Sequence, residues 1–187
     1  MILPIYLYGN PVLRKVTQKV KPDYANLAEL IDNMFETMNH AEGVGLAAPQ
    51  VGLDLQLFVV DSSKFKDKDP SIKNHKRVFI NPHIVEEWGE PWSYSEGCLS
   101  IPYLYGDVSR KAELSLRYQD EHFQEKTETF DGFFARVIQH EYDHLQGKLF
   151  IDYLPLLQRN LIGKKLERMM TEGKYEVDYP AHFLHKK

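Results

Sequence analysis

Leu27, Leu30, Ile31, Met34, Phe35 and Met38 recur every three or four positions, which predicts an amphipathic helix that Gly43 brings to an end. A segment of small residues follows, Gly43-Val44-Gly45-Leu46-Ala47-Ala48-Pro49-Gln50, and then a continuous apolar run over residues 55–61 that predicts a buried strand. Residues 62–76 are polar, charged and interrupted by Pro70, the pattern of an exposed loop. Residues 77–87 read as a strand broken at Asn81-Pro82. Val108, Arg110, Ala112, Leu114, Leu116 and Tyr118 alternate with polar neighbours as in one half-buried antiparallel strand, and residues 126–130 are expected to pair with it. Asp131 is placed to cap a helix over about residues 132–146, with Gly147 as its terminator. Beyond Pro155, Leu157, Leu161, Leu166, Met169 and Met170 predict a last helix, followed from Gly173 by a tail without periodicity that is expected to pack loosely. Strand pairs and helices intermixed in this way predict an α+β fold.

Composition narrows the class. A chain of 187 residues suits one domain, here spanning 1–187 with the C-terminal helix and tail from about residue 155. The hydrophobic fraction of 43% and charged fraction of 27% are those of a folded globular chain. A net charge of -4 supplies no basic field, which argues against sequence-specific nucleic-acid binding. One cysteine cannot form an intrachain disulfide, so a reducing cytoplasm is expected and the thiol is free to act as a ligand. The apolar opening, residues 1–7, is too short and wrongly flanked for a signal peptide, and no stretch approaches the roughly 20 apolar residues of a membrane span.

The chemistry concentrates in His140-Glu141-Tyr142-Asp143-His144. At about 100° per residue, histidines four apart on a helix point the same way and reach one ion, while Glu141 flanks them as a general base would. Cys98, in Glu96-Gly97-Cys98-Leu99-Ser100, is the candidate third ligand; three protein ligands with one open position mark a catalytic rather than a structural site. The bland alternatives are two satisfied core histidines and a small buried hydrophobe at Cys98. The extended pattern of one zinc-protease group requires a third histidine where this chain has Phe150, so the match to it fails.

Together, residues 43–50, 96–100 and Gln139-His140-Glu141-Tyr142-Asp143-His144-Leu145 resemble, in order, the three signature motifs of the peptide deformylases. The resemblance implies antiparallel sheets around a central metal-bearing helix. It also implies a hydrolase that removes the formyl group from N-formylmethionine on nascent polypeptides and releases formate. By it, Cys98, His140 and His144 bind the metal and Glu141 is the catalytic acid and base; the Gln50 amide and the Leu99 backbone N–H face the developing oxyanion. The peptide is expected to lie extended along Val44-Gly45 and Gly97. Tyr94, Phe133 and Val137, with Val44, would wall the methionine pocket, although plain core packing explains them as well. Glu96 and Arg110 suggest an ion pair behind the Cys98 turn, with an exposed pair of little worth as the alternative.

The ligand set suits zinc, iron, nickel or cobalt alike; the family implies Fe2+ in cells, with Zn2+, Ni2+ or Co2+ able to replace it. Residues 159–168 resemble the basic C-terminal helix with which family members touch the ribosome. The rivals are a zinc metallopeptidase and a non-catalytic binder of formylated N-termini.

Overall fold

The structure, a computed structural model, describes residues 1–61, 63, 76–171 and 176–184. The expected loop over 62–76 therefore lies almost wholly outside the described residues, as does Tyr175 in the tail.

A five-stranded antiparallel sheet forms the body, in the order β2 (Gly45–Ala47), β3 (Leu57–Asp61), β4 (Lys76–Trp88), β7 (Glu113–Gln119) and β8 (Glu125–Asp131). Each face carries a helix. On one side α1 (Leu27–His40) packs Ile31, Met34 and Met38 against Leu46, Leu57, Val59 and Ile80. On the other, α2 (Gly132–Leu145) packs Phe134, Ala135 and Ile138 against Phe58, Val60, Phe79 and Leu116. Strand β3 shows why its sequence is apolar without alternation: Phe58 and Val60 face α2 while Leu57 and Val59 face α1, so both faces are buried. The Phe58 and Phe79 rings stack with centroids 4.7 Å apart, and each fully buried aromatic of this kind contributes roughly 1.5–3 kcal/mol through its removal from water.

A separate hairpin, β5 (Trp92–Cys98) with β6 (Ile101–Arg110), brings the cysteine motif over α2. Behind it Ile101, Leu104 and Val108 pack on Phe150, Leu154 and, from α3 (Leu156–Thr171), Leu166 and Met169. The last element, β9 (Ala181–His182), pairs in parallel with β1 (Ile5–Tyr6).

The helices α1 and α2 and the pairing of β7 with β8 are as the periodicity predicts. Four expectations are corrected. The single strand expected over 108–118 is two strands in different sheets, with Lys111 and Ala112 between them. Two intervening residues preserve the parity of alternation, so the buried even positions continue across the break and conceal it. Strand β4 runs through Asn81-Pro82; the irregularity there is a register shift, with Asn81 at φ 50 and its amide bonded to Val20 and Gln119. Asp131 occupies the cap position of α2 in extended conformation, but its side chain makes no capping bond. In α3 the buried stripe is Ile162, Leu166 and Met169; Leu157 and Leu161 lie a residue off it and are 72% and 74% exposed.

The tail also departs from expectation. Pro180 and His182 accept bonds from the Ile5 and Leu7 N–H groups at 2.8 and 3.1 Å, so its described part is tied to the first strand. Lacking periodicity, it nevertheless has an address.

Candidate active site

Helix α2 is unusual in what it buries. Alongside its apolar residues, Arg136, Gln139, Glu141, Asp143 and His144 are all nearly inaccessible. Burying charge is costly unless each group finds a partner, so these side chains mark the helix as the carrier of a site.

His140, His144 and Cys98 converge. Their ligand atoms all lie within 4.8 Å of one another, with Cys98 Sγ 3.3 Å from His144 Nε2. The local fold explains the approach: β5 ends at Cys98 and turns back to Ile101 through Leu99 and Ser100 alone, so the thiol sits at a hairpin tip over α2. His140 Nδ1 is engaged by Glu96 Oε2 at 3.0 Å, which orients the ring and leaves Nε2 for an ion. Burial disfavours a charged His140, yet hydrogen bonds with Cys98 and Glu96 outweigh it and raise the group well above its usual pKa. An ion bound at Nε2 would displace that proton, because only the neutral ring can ligate. Burial, then the charges of His140, Arg110 and Arg14, hold His144 neutral, as a ligand must be. A thiolate and two imidazoles with one side open to a cavity fit a catalytic divalent ion.

Glu96 lies behind the histidine and accepts four donors. Arg110 contributes Nε and Nη2 at 2.7 and 3.0 Å, Arg136 contributes Nη1 at 3.0 Å, and His140 the fourth. Arg110 continues to Asp143 at 2.7 Å, and Asp143 accepts the Tyr153 hydroxyl at 2.8 Å. The Glu96–Arg110 pair is therefore buried, not exposed, with side chains 4% and 7% accessible. Burial opposes ionisation of Glu96, but the bonds from His140 and Arg110 prevail and hold it below the usual carboxylate range.

Glu141 stands apart from this network. Burial, reinforced by the charges of Glu96 and Asp143 and opposed by His140, lifts its carboxyl to about 7, so it can take and return a proton at neutral pH. Its Oε2 has no hydrogen-bond partner among the described residues. Gly45 makes room for it: a Cβ at that position would run into the carboxylate. Gln50 faces the same space. Its Oε1 accepts the Ala47 N–H at 2.8 Å, which turns Nε2 toward Cys98 Sγ and Ser100 Oγ, 3.5 and 3.4 Å away.

These groups open onto one cavity of about 690 Å³. Of the twelve residues singled out from sequence, eleven line it, and His144 lies just beneath, 1% accessible. Val44 and Gly45 form one side, Gly97 and Leu99 the other. Tyr94 and Phe133 meet edge to face, 5.4 Å between centroids, beside Val137.

The family model described as polypeptide deformylase matches residues 2–160. The chain belongs to the polypeptide deformylase family. It is 53% identical to a peptide deformylase of Flavobacterium johnsoniae over 98% of this chain and 96% of that one. It is 50% identical to that of Flavobacterium psychrophilum over 100% of both. Among solved structures, the Synechococcus elongatus peptide deformylase in complex with actinonin superposes with a TM-score of 0.77 at 39% identity, covering 87% of this chain and 85% of that one. The chain is thus a hydrolase of α+β fold that removes N-formyl groups from nascent polypeptides with a divalent metal. Among the described residues no helix is long and apolar enough to cross a membrane.

Several residues of this site escaped the sequence. The one signal for Arg136 is its charge inside the apolar run Phe133-Phe134-Ala135-Arg136-Val137-Ile138, the mark of a buried cation needing a partner, and it was not among the residues singled out from sequence. Asp143 lies inside the metal motif but serves Arg110 and Tyr153 instead. Asp178 and Tyr179 reach the cavity from the tail and carried no signal at all.

Proposed function

We propose that Cys98, His140 and His144 hold the metal and that Glu141 carries the proton during deformylation. The supporting observation is the buried carboxyl of Glu141, raised to about 7 beside the three converging ligand atoms. When bound, the ion supplies the Lewis acidity that lets water act as a nucleophile near neutral pH. Glu141 removes a proton from the attacking water and returns it to the departing amine nitrogen. Gln50 Nε2 and the Leu99 N–H donate to the formyl oxygen as it gains negative charge, an interaction stronger in the transition state than before it. The peptide runs extended between Val44-Gly45 and Gly97, main chain to main chain, so downstream sequence matters little. Tyr94, Phe133 and Val137, with Val44, receive the methionine side chain. The family match over residues 2–160 favours deformylation over cleavage of internal peptide bonds.

All of this rests in one domain, a reading supported by the two apolar clusters on opposite faces of one sheet and by the buried ion pairs that tie the hairpin to α2. Ferrous iron is the ion we assign in cells, on the strength of the family; anaerobic metal analysis alongside activity tests it, and activity following zinc instead would reverse it. The cytoplasm is the compartment, and the basic stretch Arg159 to Arg168 on α3 supports contact with the ribosome.

Formate release from formyl-Met-Ala-Ser decides the role of Glu141. The Glu141→Ala variant should lose about 10²–10⁴-fold in kcat, the usual worth of a positioned acid–base group, while keeping its metal. Turnover equal to wild type would remove Glu141 from the reaction.

A further inference from the structure

The described end of the chain, residues 176–184, crosses back over the molecule and reaches the active site. It is anchored at β9, where Pro180 and His182 accept from Ile5 and Leu7, and Asn10 Nδ2 adds a bond to the His182 carbonyl at 3.1 Å. The His182 ring stacks on Tyr6 with centroids 4.3 Å apart. Immediately before this anchor, the Tyr179 hydroxyl donates to the Leu99 carbonyl at 2.6 Å. Asp178 and Tyr179 both line the catalytic cavity.

Leu99 is one of only two residues in the turn between β5 and β6. Its neighbour Ser100 is fully buried and accepts the Tyr8 N–H at 2.8 Å. The turn is thus held from outside the hairpin at two successive carbonyls, by Tyr8 just past β1 and by Tyr179 just before β9. The β1–β9 pair acts as a single bracket on it. A two-residue turn has few internal bonds of its own, and the direction of the Leu99 N–H follows the torsions on either side of the Leu99 Cα. Fixing the Leu99 carbonyl restricts those torsions. A donor serving a developing oxyanion contributes most when it is aimed beforehand, because no reorganisation is then needed as charge appears.

We infer that Tyr179 is a positioning residue for deformylation, whose hydroxyl, held by the C-terminal segment, aims the Leu99 N–H at the formyl oxygen. This rests on the assignment of Gln50 and Leu99 as the oxyanion donors. Tyr179 touches neither substrate nor metal in this role, so its effect falls on the chemical step and not on binding.

The test compares Tyr179→Phe, Tyr179→Ala and Gln50→Ala in the full-length metal-loaded enzyme with formyl-Met-Ala-Ser. Removing the hydroxyl alone, in Tyr179→Phe, should lower kcat about tenfold, less than the 10²–10³ of deleting a donor outright. KM should change less than about twofold, with metal content and thermal midpoint as in wild type. Tyr179→Ala should lose at least as much. Wild-type kcat in Tyr179→Phe overturns the proposal, as does a kcat loss that tracks loss of metal or of folded protein. If Gln50→Ala loses kcat while Tyr179→Phe does not, the role of the tail falls and the oxyanion assignment stands. If neither loses kcat, that assignment falls with it.

Discussion

Arg110 and Arg77 each grip a glutamate through two nitrogens, and each glutamate cluster includes a tyrosine hydroxyl, yet they stand in opposite surroundings. Arg110 joins β6 to Glu96 on β5 and Asp143 on α2, with side chains between 4% and 11% accessible. Arg77 on β4 bonds Glu128 on β8 at 2.8 and 3.3 Å and the Tyr118 hydroxyl on β7 at 3.1 Å, at a sheet face where Arg77 and Glu128 are 22% and 33% accessible. Both guanidiniums lie over a ring, Arg110 at 4.8 Å from the Tyr153 centroid and Arg77 at 5.9 Å from that of Phe130. The groups are alike; what differs is the cost of leaving one alone. Beside water, an abandoned carboxylate is resolvated and little is lost. In the interior it stays charged and unpaired, and the loss is severe. The buried cluster gains in return an orientation that water would blur, and it spends that on His140.

Removing the central acid from each cluster should separate them most. Glu96→Ala leaves two buried guanidiniums and His140 without their shared acceptor. It should cost about 3–5 kcal/mol in denaturant unfolding of the metal-free protein. In chelator competition, metal affinity should fall 10–100-fold, with Glu96→Gln as the milder variant should the alanine fail to fold. Glu128→Ala should cost no more than about 1 kcal/mol and leave metal affinity unchanged. Similar losses from the two would erase the distinction.

Next come the arginines. Arg110→Met leaves Asp143 with only the Tyr153 hydroxyl among the bonds described for its side chain, for an expected loss of about 2–4 kcal/mol by thermal unfolding. Arg77→Met should lose about 1 kcal/mol or less, most of it recovered in about 1 M salt, where screening reaches exposed pairs first. A salt-insensitive loss at Arg77 would place that cluster with the buried one.

The smallest effect is the dependence of the outer cluster on pH. Partial burial would raise Glu128, but bonds from Arg77 and Tyr118 outweigh it and lower its pKa. A carboxyl held below its unfolded value stabilises the fold above about pH 4.3 and loses that contribution as pH falls further. The difference in unfolding free energy between wild type and Glu128→Gln should therefore be a few tenths of a kcal/mol at neutral pH, discounted for exposure, and shrink as pH falls through the lowered pKa of Glu128. A difference that grows on acidification would give the opposite sign and refute the assignment.

The same contrast explains what could be read from the chain. His140, Glu141 and His144 are legible because ligand chemistry and helical spacing are both local, and Cys98 because no other cysteine competes with it. Helices α1 and α2 follow from periodicity on one buried face. The hairpin of β5 and β6 was concealed by preserved parity at 111–112 and by the mixed composition of β5, Trp92-Ser93-Tyr94-Ser95-Glu96-Gly97-Cys98. Arg136, Asp143 and Tyr153 gain their roles only from partners brought together by the fold. Tyr179 and Leu99 are 80 residues apart, a separation at which no pattern in one segment reports on the other.

Arg136 does more than neutralise Glu96. Its fork also donates to the Val108 carbonyl at 2.7 Å and the Trp92 carbonyl at 2.6 Å, spanning both strands of the hairpin from α2. Sliding β5 along β6 by two residues would keep every side chain on its present face, so the apolar pattern does not forbid that error. Such a slip would carry Cys98 about 6–7 Å from the histidines, at roughly 3.3 Å per residue. A rigid guanidinium that fits one spacing of carbonyls works as a gauge for the hairpin, and a mispaired hairpin would be recognised by an arginine with nowhere to bind.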